Sequence, residues 1–118
     1  GRRVRLESWA NAQNQAIVAA KCALGQDLRY DELPWFWSDQ FDANVQLLGL
    51  PERWPEPVAR GDRNGASFSL FYLDGERIDA VVSVNAPRAL RAAKRLMQLG
   101  RAVRATDLAD PAVNLAKL

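Results

Sequence analysis

The 118 residues contain no histidine. That removes imidazole-based triads, the commonest general acid–base side chain and imidazole zinc sites together. A single cysteine, Cys22, excludes an internal disulfide and a cysteine-built metal site, and it fits a reducing, cytoplasmic setting. Cys22 belongs to no Cys-X-X-Cys motif and lies outside the basic stretch described below, so it reads as inert. No apolar run reaches the roughly 18–20 residues that a membrane helix needs. The basic opening GRRVR runs toward a short strand expected at residues 4–6, without the apolar core of a signal peptide. A Gly-x-Gly-x-x-Gly nucleotide fingerprint is also missing. The sequence opens on Gly1 with no initiator methionine, so the expectation is a piece of a longer protein.

Acid is missing from one stretch only. Residues 86–104 hold Arg88, Arg91, Lys94, Arg95, Arg101 and Arg104 and no carboxylate, leaving ten bases against fourteen acids elsewhere. The overall charge of +2 therefore hides a two-sided molecule. Arg88, Arg91, Lys94 and Arg95 cover an arc of about 120° on a helix expected over 86–99. A positive stripe without acids at i+3 or i+4 repels itself until something negative docks on it. An acidic protein and a nucleic acid both qualify. The small net charge and the acids elsewhere weigh against nucleic acid.

Aromatics are concentrated in residues 34–41, PWFWSDQF, which carry four of the ten in the chain. Strand alternation puts Trp35 and Trp37 on one face and Phe36 on the other, with Ser38, Asp39 and Gln40 marking a polar rim. Either a buried aromatic strand or a wall beside a flat ligand or a partner fits this composition. Asp39 and Asp42 read as solvated turn carboxylates and not as an acid–base pair.

Elsewhere the local signals are conventional. Ser8 stands as the N-cap of a helix over 9–24, with Trp9, Ala12, Ala16, Ala19, Ala20 and Ala23 on one stripe and Gly25 as its stop. A second strand is expected over 44–50, and prolines 51, 55 and 57 then break the chain, with Trp54 as a loop anchor. A short strand follows at 58–60. Strands over 67–73 and 76–84 flank Asp74-Gly75 as a hairpin, with Ile78, Ala80, Val82 and Val84 sharing a buried face. Asn85 should cap the basic helix and Pro87 should occupy its first turn, with Ala86, Leu90, Ala93 and Met97 turned inward. A helical turn is expected at 106–108 and a surface tail beyond it. The fold class is α+β: an antiparallel sheet of about four to five strands with two main helices, 9–24 and 86–99.

PWFWSDQF followed by NVQLLGL resembles the C-terminal domain of FAD-dependent NAD(P)H:ferredoxin reductases of the putidaredoxin reductase and dioxygenase reductase type, distantly similar to apoptosis-inducing factor. RLESWANAQNQA at 5–16 and FSLFYLDGERIDAVVSVNAP at 68–87 extend the resemblance over nearly the whole chain. It implies that residues 1–26 end the FAD-binding region of a longer parent and that 27–118 form the reductase C-terminal domain. It implies FAD and NAD(P)H in that parent, an acidic [2Fe–2S] ferredoxin as partner, and electron delivery to an oxygenase. Trp9, Ala10, Phe36 and Trp37 would frame the flavin, with the start of the first helix aimed at the ring's pyrimidine oxygen. Trp35, Arg88, Arg91, Lys94 and Arg95 would dock the partner. No residue of this chain is expected to be catalytic or to bind metal, and the fragment alone is expected to be inactive and to lose FAD. Related flavoprotein reductases also use this fold to dimerise. The competing reading is a non-enzymatic interaction or dimerisation module that binds an acidic partner through the basic helix.

Overall fold

A computed structural model describes residues 3–118. The elements are α1 (Trp9–Ala23), β1 (Trp35–Gln40), β2 (Ala43–Gly49), β3 (Val58–Arg60), β4 (Phe68–Asp74), β5 (Arg77–Val84), α2 (Pro87–Gln98), α3 (Ala105–Ala109) and a closing 3₁₀ turn (Leu115–Lys117). The strands form one antiparallel sheet in the order β1-β2-β5-β4-β3. The α+β expectation with two main helices holds.

Cross-strand register decides what each face carries, because directly paired residues share a side. Leu48 pairs with Val81, Val81 with Phe71 and Phe71 with Val58, making one apolar row across four strands. The core lies on this side, where Leu48, Phe71, Ile78 and Val81 pack with Leu90, Ala93 and Leu96 of α2 and with Val103, Leu108 and Leu115. The opposite face carries Val45, Leu47, Leu70, Val82 and Val84, all half-buried.

A bulge corrects the expected face of β5. Tyr72 pairs with Ala80 but Leu73 pairs with Ile78, so Asp79 is an extra residue and the alternation slips by one. Ile78 therefore faces the core with Val81 and Ser83, whereas Ala80, Val82 and Val84 lie on the other side. Gly49, at φ 86, sits opposite this bulge, and any Cβ there would collide with the Asp79 carbonyl. The hairpin turn also falls one residue later than expected: Asp74 pairs with Arg77, leaving Gly75 and Glu76 in the turn with Gly75 at φ 59.

The basic helix exists as expected, but its inward set differs. Leu90, Ala92, Ala93 and Leu96 are buried, while Met97 is only partly so. Its N-cap is Ala86 with no side-chain cap bond, because the Asn85 amide is used elsewhere. Both long helices end in a Schellman motif. Gly25 and Gln26 N–H groups bond to Cys22 and Lys21 carbonyls, and those of Gly100 and Arg101 to Met97 and Leu96.

Three other expectations change. Residues 4–6 form no strand, having no partner to pair with. The alanine stripe of α1 does not pack: Ala12, Ala16, Ala19, Ala20 and Ala23 are exposed and only Ala10 is buried. Beyond its first turn this helix stands off the sheet, and the radius of gyration of 15.6 Å exceeds the roughly 13.5 Å of a compact chain this long. The tail is not a surface strand of chain, since Leu115 enters the core. Trp54 does anchor its loop, meeting Tyr72 edge-on at 4.7 Å.

Arg60 explains why the tail closes. Its guanidinium donates to four backbone carbonyls, those of Leu108 (3.1 Å), Asp110 (2.6 Å), Pro111 (3.2 Å) and Val113 (2.8 Å). Hydrogen bonds from a charged donor contribute about 1.5–3 kcal/mol each when well made, and partial exposure keeps the sum below simple addition. Arg60→Ala should therefore destabilise by about 2–3 kcal/mol, and Arg60→Lys should recover little because a point charge cannot serve a fan of acceptors. Urea unfolding checks this: an unchanged midpoint in Arg60→Ala would remove the clasp from the account.

Candidate functional site

The aromatic stretch is not a core strand. β1 is the edge of the sheet, and Trp35 and Trp37 stack on one another at 4.8 Å with ring planes 29° apart. Trp9, the first residue of α1, meets Trp37 edge-on at 5.8 Å and 77°. Trp9 remains 66% exposed, so these rings make an accessible wall and not a sealed cluster. Phe36 points to the opposite face, where it pairs with Leu47. The structure thus brings Trp9, Trp35 and Trp37 together and leaves Phe36 apart from them.

Two hydrogen-bonded systems hold this wall. Along β1 and β2, Trp35 Nε1 donates to Gln46 Oε1 (3.1 Å), Gln46 Nε2 to Asn44 Oδ1 (2.7 Å) and Asn44 Nδ2 to Asp39 Oδ1 (2.6 Å). On α1, Asn11 Nδ2 donates to the Leu6 carbonyl (2.8 Å) and Asn11 Oδ1 accepts from the Tyr30 hydroxyl (2.8 Å). Asn11 thereby fixes the lead-in segment, the helix start and the linker to one another.

The N-terminus of α1 is capped as expected. Ser8 Oγ accepts the Asn11 N–H (3.2 Å), and the Ser8 carbonyl takes that of Ala12 (3.0 Å). Helix geometry leaves the Trp9 and Ala10 N–H groups without intrahelical acceptors, at the positive end of the helix dipole. Trp9 carries one of these N–H groups and its ring meets Trp37, so the helix start and the aromatic wall adjoin. Among the described residues no cluster of metal-ligating side chains occurs, and no helix is long and apolar enough to cross a membrane.

The basic residues Arg88, Arg91, Lys94 and Arg95 are all exposed. Arg95 donates to the Ala116 carbonyl (3.0 Å), which ties it to the tail. Arg104 is not part of the free positive surface: Asp107 bridges it at 2.9 Å and raises its pKa, first by hydrogen bonding and then by charge. Arg88, Arg91, Arg95 and Arg60 line one open groove between α2 and residues 111–116, and no acidic side chain joins that lining. Register puts Trp35 and Trp37 on the same side of the sheet as Leu48 and Val81, which is the side that α2 covers. Aromatic wall and basic helix therefore lie on one side of the sheet, the wall at the β1 edge and the arginine groove turned toward β3 at the other.

Sequence reasoning missed the polar ladder and the role of Asn85. The alternation was there to be read, since Asn44, Gln46 and Leu48 occupy every second position of β2.

Comparison with known proteins places the chain. The Reductase C-terminal family model matches residues 35–118, and the chain belongs to that family. The ferredoxin–NAD(+) reductase component of the anthranilate 1,2-dioxygenase system of Burkholderia cepacia is 48% identical over 116 residues, 98% of this chain and 29% of that protein. Putidaredoxin reductase of Pseudomonas putida is 36% identical over 98% of this chain and 27% of its own length. Among solved structures, the ferredoxin reductase for the CYP199A2 system from Rhodopseudomonas palustris superposes with a TM-score of 0.91 at 33% identity, covering 99% of this chain and 29% of that one. The reductase in a covalent putidaredoxin reductase–putidaredoxin complex gives 0.89 at 36% identity, covering 98% and 28%. The chain spans less than a third of the length of these relatives.

Tyr30 supplies a pH test of the α1 attachment. Desolvation, and secondarily the Glu32 charge, raise its pKa above 10.0. The bond to Asn11 needs the protonated phenol, so its contribution is complete below the ordinary tyrosine value and is lost as the pH climbs through the raised one. Tyr30→Phe should weaken the α1 attachment at neutral pH by this one bond and abolish the alkaline change that depends on it. Near-UV circular dichroism of the two proteins, each with its tryptophans intact, followed through an alkaline titration reads the difference; coincident alkaline transitions would contradict it.

Proposed function

We propose that this chain is the C-terminal portion of an FAD-dependent NAD(P)H:ferredoxin oxidoreductase that delivers electrons to a [2Fe–2S] ferredoxin serving an oxygenase. The observation that carries the reading is the shared side of the sheet. A solvent-accessible tryptophan pair at the β1 edge shares that side with an acid-free basic helix, which suits an electron exit and an acidic carrier's landing surface on one face. The relatives' names and the complex with putidaredoxin support the same assignment.

FAD, when bound in the intact protein, supplies the conversion between a two-electron hydride donor and a one-electron acceptor. The chain's own residues do the rest. Trp9 and Ala10 N–H groups would hold the ring's pyrimidine oxygen and favour negative charge there. Trp37, braced by Trp9 and Trp35, would lie against the ring system and keep water from it. Residues 1–26 would belong with the upstream flavin domain, whose surface would cover the exposed alanines of α1. Arg88, Arg91 and Lys94 would attract the ferredoxin's carboxylates, and Trp35 would meet it at the wall's outer edge. With no phosphate-binding loop of its own, this chain by itself would neither retain FAD nor turn over.

Docking through charge has a clear signature. Arg91→Glu with Lys94→Glu in the intact reductase should slow ferredoxin reduction about ten- to hundredfold at low salt and flatten its dependence on ionic strength. NAD(P)H oxidation with a small-molecule acceptor should not change. Ferredoxin reduction that kept both its rate and its salt dependence would assign docking to another surface.

A further inference from the structure

Two non-glycine residues among those described have positive φ, Phe41 (56°) and Asn85 (48°), and the fold sets them beside one another. Phe41 and Asp42 make the two-residue turn between β1 and β2. Asn85 clamps that turn. Its Nδ2 donates to the carbonyls of Asp42 (3.2 Å) and Ala66 (2.9 Å), and its Oδ1 accepts the Asn44 N–H (2.8 Å). Its own N–H donates to the Asn44 carbonyl (3.0 Å), and its carbonyl accepts from Ser67 Oγ (3.0 Å).

Asn85 is accounted for by these bonds, and asparagine tolerates the left-handed region. Phe41 is not. A bulky aromatic at φ above zero is an outlier, and glycine or asparagine would serve the turn better. Its side chain is also fully exposed, at 105% of its reference area, so it buries nothing against its own chain. The position thus carries a conformational cost and an exposure cost with no return inside the fold.

We propose that Phe41 is an aromatic anchor for the acidic electron-transfer protein that docks on α2, entering an apolar pocket on that partner; this rests on the docking reading above. Continuity and charge select the occupant. Asn85 immediately precedes the N-cap of α2, so the turn is tied to the end of the sheet where Arg88 and Arg91 begin the basic face. Asp39 and Asp42 flank the tip, although Asp39 is already engaged by Asn44. Carboxylates at the tip repel an acidic surface there. A partner therefore meets the tip with its apolar patch and the helix with its acids, which fixes its orientation. Exposed rigid aromatics beside a charged rim are the residues on which such interfaces turn.

The test uses the intact flavoprotein and a [2Fe–2S] ferredoxin that its wild type reduces. Phe41→Gly suits the backbone, so its unfolding temperature should stay level or rise while the ferredoxin Kd weakens about ten- to hundredfold, mainly through faster dissociation. Phe41→Asn, also tolerated at this φ, should repeat the loss, and Phe41→Tyr should keep wild-type affinity. Ferricyanide reduction should be unchanged in all three. Arg91→Glu run alongside separates the two readings. If it weakens binding while Phe41→Gly and Phe41→Asn do not, the anchor is overturned and the docking face stands. If neither change moves the Kd, both fall.

Discussion

The cross-strand row Leu48–Val81–Phe71, roofed by Leu90 and Leu96 of α2, fixes where everything else can go. Burying one face of the sheet under amphipathic α2, with α3 and the tail beside it, leaves the outer side of α2 in water, and in this chain that side is basic. The same row ends at β1, beyond the reach of α2, so the tryptophans that continue its alternation emerge from cover instead of entering the core. Location of both the positive face and the aromatic wall thus follows from packing.

Polar bonds then set the fine position of what packing leaves exposed. Asn85 joins the β1–β2 turn, the β3–β4 loop and the approach to α2 through its backbone and one amide. The Trp35–Gln46–Asn44–Asp39 ladder reaches the same point through Asn44. A half-satisfied version of such a network would cost more than an apolar replacement, so its completeness matters. Among the described residues no buried side-chain polar atom lacks a partner.

Much of this was legible in the residues, and the failures have physical reasons. Gly25, Gly100, Pro87 and the aromatic alternation announced helix ends and strand faces through local chemistry alone. The bulge at Asp79 was invisible because it depends on a register set by Gly49 in a distant strand. Asn85 looked like a cap because caps are what asparagines before helices usually do, and only the tertiary approach of Asp42 and Ala66 redirects its amide. The alanine stripe of α1 suggested close packing by composition, but no element of this chain covers it and its alanines are exposed. The aromatic cluster at 35–37 and the basic stripe of α2 were visible as pattern, the flavin roles of Trp9 and Trp37 came only from the family resemblance, and the strained turn at Phe41 gave no local signal, since positive φ is not written in a phenylalanine.

The central claim is that Trp37 lies against a flavin ring beside the exit toward an acidic carrier. The direct measurement is the visible spectrum and the photoreduction rate of the intact flavoprotein, wild type against Trp37→Ala. The account predicts bound flavin in both, with a shifted absorption envelope and an altered reduction rate in the mutant, because an indole has been removed from the ring's face. Identical spectra and rates would place Trp37 away from the flavin and contradict the account. An intact protein that binds no flavin would contradict it more completely.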